Sequence, residues 1–392
     1  AAETLESALK SVVSAAAAMA AGVAAAGVAA GAAIAGAAVK ANECVNVYAD
    51  FEDSMLQVAA TMGITQEEIA NGSDAYEKLT NAAKEAGAAT RYSASEAGAA
   101  LNYLALAGYD AEKAVETLPK VLDLAAAGGM ELATASDLVT DAMSALQMST
   151  DDLDVFIDQM AKTAQKSNTS VQQLGTAMLE CAGTAASTGQ DLITLNTALG
   201  VLADNGIKSA EGGTHLRNVL LSLSAPNDKA NIKLKELGVS VYDAGGKMRQ
   251  LNEVMADLDK SLSSLTQEGR TNAISDIFEK TDINAVNALL ASTSGRFGEL
   301  SAQIADCSGA ASDMAGTMEA GLAGTARSFR SAMEGMQIET GAIFAELKKS
   351  LMSDATEVIR SFTKDLQEAG GDWGKISEAV GKAISQAVAM AG

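Results

Sequence analysis

The chain has 392 residues, with 50 acidic against 28 basic side chains, a formal charge of −22 and one histidine. Such a body repels nucleic acid, which is bound mainly through Lys and Arg neutralising phosphates, so the charge argues against sequence-specific DNA binding. Only two prolines (Pro119 and Pro226), 4% aromatic residues and abundant alanine predict an all-α chain of closely packed helices. They also predict less apolar burial per residue than an enzyme of this size usually has.

Residues 1–41 read as an Ala/Gly-rich apolar helix. From Ser11 to Val39 there are 29 residues without a charge, of which 20 are Ala or Gly. That is long enough to span a bilayer but gains little from lipid. The segment is expected either to pack in a helix bundle, aided by Gly27 and Gly31, or to enter a membrane at a later stage. The charges of residues 1–40 sum to zero, so the acidic excess lies in 41–392.

Residues 42–300 read as a compact helical domain. Thr65-x-x-Glu68, Ser93-x-x-Glu96 and Ser170-x-x-Gln173 predict capping boxes, and Asn71-Gly72, Gly128-Gly129, Asn205-Gly206 and Gly212-Gly213 predict turns. Pro119 is expected to start or kink a helix within 110–127. Asp151, Asp152 and Asp154 gather at a helix start, where they favour the dipole; the Gly and distal Glu of a calcium loop are missing. Cys181 falls on the stripe Val171, Leu174, Met178 and reads as a core residue. The odd count of Cys44, Cys181 and Cys307 speaks against a disulfide framework.

Gly183 to Gly189 resembles a phosphate loop in composition only, lacking the lysine and a preceding strand. Leu192, Leu195, Leu199 and Leu202 place leucines on one face of a helix over 190–203, and Ile283, Val286 and Leu290 repeat the pattern.

The run from Glu211 to Leu251 is the most distinctive. A Gly-Gly turn precedes an apolar helix, a Pro-Asn-Asp break and a second helix. Then Gly238 to Tyr242 alternates as a strand, turns at Asp243 to Gly246 and can return over Lys247 to Leu251. This predicts one small β-hairpin, about 238–251. His215 stands here without a second histidine or a nearby cysteine, so neither a zinc pair nor a nucleophile–base pair is available; no catalytic residue, metal or cofactor is expected.

Residues 301–392 change to long helices. Leu322, Phe329, Met336 and Ile343 are spaced by seven, and Ala326, Met333, Thr340 and Leu347 interleave with them. The alternation of four and three is a coiled-coil seam, expected to pair between chains or else to pack on the chain's own domain. The start at Ala1 and the apolar run 387–392 read as cuts through a longer protein.

Several of these stretches together resemble the core region of phage tail tape measure proteins. The helix start Gly213, Thr214, Leu216, Arg217 and the segment Leu237, Gly238, Val239, Asp243, Gly246 are similar to its "GTxLR" and "LGV…D..G" patterns. Phe51 to Val58, Thr90 to Glu96, Leu104 to Tyr109 with Gly108, Leu122 to Ala127 and Leu199 to Ile207 extend the likeness over roughly 45–300. At Ile277-Phe-Glu279 the family usually has a glycine after the Phe.

The resemblance implies a structural virion protein held in the tail tube lumen or tip in several copies, a trimer or hexamer. Tail tube and tail tip proteins, tail assembly chaperones and the host membrane would be its partners. It would set tail length during assembly and leave ahead of the genome. Fully helical, 392 residues would reach about 590 Å. The alternatives are a membrane-active delivery module of a phage tail or tail-like injection particle and, least supported, a tail-borne cell-wall hydrolase.

Overall fold

The computed structural model describes residues 27–369 together with Lys375, Glu378 and Lys382, with side chains described from Lys40 onward and at only some positions beyond Glu346. The expectations placed on residues 1–26 lie outside the described residues.

Helix follows helix: α1 (Gly27–Thr61), α2 (Gln66–Ala70), α3 (Asp74–Ala89), α4 (Ala94–Leu106), α5 (Ala111–Gly128), α6 (Leu132–Leu146) and α7 (Leu153–Lys166). Then come α8 (Val171–Ser187), α9 (Leu192–Asp204), α10 (Ser209–Ser224), α11 (Asp228–Glu236), α12 (Leu251–Leu262) and α13 (Gln267–Ile277). The series ends with α14 (Ile283–Ser292), α15 (Arg296–Ala305), α16 (Ala310–Glu319) and α17 (Leu322–Ala369). Short 3-10 turns precede α7 and α14.

Local chemistry sets many of the boundaries. The Thr65 and Ser93 hydroxyls accept from the N–H of Glu68 and Glu96, and both glutamates reach back to the cap, completing two capping boxes. Gly72, Gly129 and Gly206 take left-handed conformations at predicted turns. Pro119 neither starts nor ends its helix but lies inside α5 on an exposed position.

Two compact units share the chain: residues 1–53 with 333–392, and residues 54–332. In the larger unit α9 is central, touching α7, α8, α10, α14 and α15. Its residues Thr194 to Ala203 are all buried, so the expected one-sided leucine face becomes a helix covered on every side. The core is made of Leu, Ala, Met and Val with a few rings, among them Phe156. Alanine lets helices approach closely and recover dispersion energy that bulky side chains would otherwise supply.

In the smaller unit α1 and α17 are in close contact. A β-carbon at Gly341 would come 2.1 Å from the Cys44 carbonyl oxygen, while one heptad later Lys348 Nζ donates to Asn42 Oδ1 at 3.0 Å and Asn46 Oδ1 at 3.3 Å. The apolar helix expected to end near 41 instead continues without a break to Thr61. Among the described residues no helix is long and apolar enough to cross a membrane, and residues 11–26 of the predicted apolar span lie outside them.

The predicted β-hairpin does not form. Tyr242 and Met248 make a single isolated antiparallel bridge, and no strand is present among the described residues. Only two ladder bonds exist, Asp243 N–H to Lys247 O and Arg249 N–H to Val241 O, each 2.9 Å. Side chains take the places a longer ladder would fill, and α12 already starts at Leu251, where the return strand was expected.

Candidate functional site

The distinctive sequence run builds the crossing of α8 and α10 and the irregular segment after α11. The predicted Gly212-Gly213 turn is a correction: both glycines lie inside α10 and are buried. At Gly213 a β-carbon would fall 2.0 Å from the Ala177 carbonyl oxygen and 2.7 Å from Glu180 Cβ. The glycine is therefore required by the near contact of two helix backbones, not by a turn. Leu216, Val219, Leu220 and Leu223 then bury the same side of α10, opposite Leu174, Met178 and Cys181 of α8. Thr214 is half-buried beside the glycine. Arg217 Nη1 donates to Glu180 Oε2 at 3.3 Å and to its carbonyl at 3.4 Å, closing the crossing at its rim.

His215 leaves α10 on another side. Its Nδ1 is 2.6 Å from Asp282 Oδ1, and Asn218 Nδ2 donates to the same oxygen at 3.1 Å. Glu211 Oε1 lies 3.8 Å from Nε2. Asp282 is buried and its second oxygen has no partner among the described residues. The pair ties α10 to the start of α14. Among the described residues no three His, Cys, Asp or Glu side chains converge to hold a metal.

The segment after α11 starts at Gly238, whose φ of +69° admits glycine readily. Val239 and Val241 point inward, Ser240 and Tyr242 outward. Asp243 Oδ1 accepts from Gly245 N–H at 2.8 Å and Lys247 N–H at 2.9 Å, shaping the turn, and Gly246 closes it at φ +78°.

Two glutamines fasten this turn to the loop between α8 and α9. Gln190 donates to Arg249 O at 3.1 Å and accepts from Leu251 N–H at 2.7 Å. Gln250 donates to Gly189 O at 3.0 Å and accepts from Asp191 N–H at 3.1 Å. Neither glutamine stood out in the sequence, because each partner lies about sixty positions away and leaves no local pattern.

The remaining singled-out residues are dispersed. Phe51 is buried in α1, and Gly108 ends α4 at φ +83°. On α17 the predicted seam is a stripe of exposed side chains: Leu322 87%, Phe329 68%, Met336 53%, Ile343 50% and Met333 36%, with Ala326 also exposed. The side chain of Leu347 lies outside the described residues. A second stripe on the same helix, Gly324, Ser331, Ile338 and Gly341, is buried. Ser331 Oγ donates to Tyr92 O at 2.6 Å and also contacts Gly87 O.

These features make close helix crossings and fixed turns. Residues 80–279 match the family described as phage-related minor tail protein, over about half the chain and including the whole α8–α10 crossing. The chain belongs to this family of phage tail tape measure proteins. It is 30% identical over 319 residues to the tape measure protein of Pneumococcus phage Dp-1, covering 81% of this chain and 27% of that one. It is 27% identical over 290 residues to the probable tape measure protein of Escherichia phage P2, covering 73% and 35%. The chain thus spans about a third or less of the length of these relatives. No solved structure matches it. Membership in this family makes it a phage tail protein.

Proposed function

We propose that this part of the tail protein contributes to the ruler that sets tail length, carried as several self-associated copies inside the tube and leaving ahead of the genome. The observation that carries this reading is α17, a continuous helix of 48 residues. At 1.5 Å per residue it is about 72 Å long. Its Leu322, Phe329, Met336 and Ile343 stay exposed at heptad spacing. A helix with one stripe buried in its own chain and a second apolar stripe open to solvent is suited to pairing with identical helices, as a trimer or hexamer. Tail tube and tip proteins and assembly chaperones are the expected neighbours.

Two measurements test this reading. Removing residues 350–363 in frame deletes two heptads and keeps the helical phase, so tails should shorten by about 20 Å in electron micrographs; unchanged tails refute a measuring role for this helix. Separately, the full chain should sediment as an oligomer, and Phe329→Glu with Met336→Glu should give monomer. A wild-type chain that stays monomeric at about 100 μM, well above the affinity a useful seam needs, refutes the stripe as an oligomer contact.

A further inference from the structure

Helix α4 ends in a sharp turn. Gly108 closes it at φ +83°: its N–H donates to Ala105 O at 2.9 Å, and the Tyr109 N–H donates to Leu104 O at 3.1 Å. The turn leaves Leu106 on the surface, 66% exposed, although its neighbours Leu104 and Ala105 are buried. Between this turn and the outer side of α6 lies a cleft of about 490 Å³. Tyr103, Leu106, Met143 and Met148 give it apolar walls, and Asp137 and Asp141, one helical turn apart, line its α6 side.

Both aspartates are exposed, and neither side chain has an ion-pair partner among the described residues. Partial burial, and then the Asp141 charge, push the Asp137 carboxyl above the ordinary carboxylate range. Lys113, the one basic residue lining the cleft, lies over the Tyr109 ring, 4.0 Å from its centre, and Tyr109 OH donates to Met143 Sδ at 2.9 Å. The surroundings do not offset the two carboxylates. Residues 103–148 hold seven acidic and two basic side chains, a net of −5. The second base, Lys120, pairs with Asp154 beyond that range, and Lys78, which reaches Glu112 from α3, brings the sum only to −4.

We infer that this cleft docks a segment of a partner protein that carries an arginine beside apolar side chains. The apolar side chains cover Leu106, Tyr103 and Met148. The guanidinium bridges Asp137 and Asp141, a pair of acceptors that its planar fork suits better than an ammonium does. One cation placed there also relieves the repulsion between the two carboxylates. A basic partner is favoured over a second copy, because two chains of −22 repel each other as they approach. This surface does not include the α17 stripe, and it stands or falls independently of the ruler reading.

The test uses the full 392-residue chain and a fluorescently labelled, end-capped hexapeptide of alternating leucine and arginine. Anisotropy reads binding at about 150 mM salt, where distant charges are screened. The peptide should bind, and replacing its arginines by lysine or its leucines by glycine should weaken it several-fold at equal charge. Asp137→Asn with Asp141→Asn should weaken binding about 10-fold or more, and Leu106→Ser several-fold, with the helical circular dichroism unchanged. Glu67→Gln with Glu268→Gln removes the same charge from exposed positions elsewhere and should leave binding as it was. No binding up to about 1 mM, equal binding of the lysine or the glycine peptide, or an equal response to the two double variants would each overturn the proposal. So would self-association of the chain that Asp137→Asn with Asp141→Asn abolishes, since that assigns the cleft to a second copy.

Discussion

Gly213 and Ala177 hold two helices in backbone contact: a single β-carbon added at 213 would lie 2.0 Å from the Ala177 carbonyl oxygen. No rotamer change relieves such an overlap, so the helices must separate and the leucines behind them lose contact. Gly213→Ala should destabilise the larger unit by about 1–3 kcal/mol, the usual cost of overpacking. Urea unfolding of the full chain measures it. A loss below about 0.5 kcal/mol, the range of ordinary surface changes, would show that the crossing is loose.

His215 and Asp282 form the closer of the two histidine–carboxylate contacts of this side chain, 2.6 Å against 3.8 Å to Glu211, and Asp282 is buried with one oxygen lacking a partner among the described residues. Truncating the histidine leaves the carboxylate with the Asn218 amide as its remaining donor. His215→Ala should cost about 2–3 kcal/mol, much of it the penalty of an under-paired buried group. The double variant with Asp282→Ala should be less damaging than the two single losses added together. Strict additivity would show that the two groups do not depend on each other.

Glu319 joins the end of α16 to α3–α4 and to α17 through Arg91 Nη1 at 2.8 Å and Arg327 Nη2 at 3.2 Å. Burial pushes its carboxyl up, but the hydrogen bonds and charges of the two guanidinium groups outweigh that and hold it below the ordinary carboxylate range. A folded-state pKa below the unfolded one gives stability that is present above the unfolded value, about 4.3 for Glu. That stability is lost as pH falls further, through the folded value. Glu319→Gln should therefore lower stability at pH 7 and flatten its decline in acid. Parallel acid-unfolding profiles of the two proteins would remove this pair from the acid response.

The three cysteines should differ in reactivity. Burial pushes the Cys181 thiol up to about 12, and burial also raises Cys307, whereas Cys44 is half-buried. Thiolate is the reactive form, so at pH 8 a maleimide should label Cys44 first and reach Cys181 only on unfolding. Rapid labelling of Cys181 in the native chain, located by peptide mass mapping, would mean that the α8–α10 crossing opens readily.

Sequence alone carried the features that depend on near neighbours. Alanine content and scarce proline determined the helical class. Ser93 and Glu96, three positions apart, determined a helix start, and the seven-residue rhythm of Leu322, Phe329, Met336 and Ile343 determined an apolar stripe on one helix. The ordered motifs around Gly213, Gly238 and Asp243 also sufficed to place the chain in its family.

Tertiary structure decided whatever depended on partners far along the chain. Gly212-Gly213 reads as a turn until the Ala177 backbone is seen against it, and the alternation of 238–251 reads as a hairpin until Arg249, Gln190 and Leu251 take its hydrogen bonds. Both errors have one physical cause. A glycine or a backbone amide has the same local preference whether it faces water or another helix, and only the folded chain determines which group satisfies it.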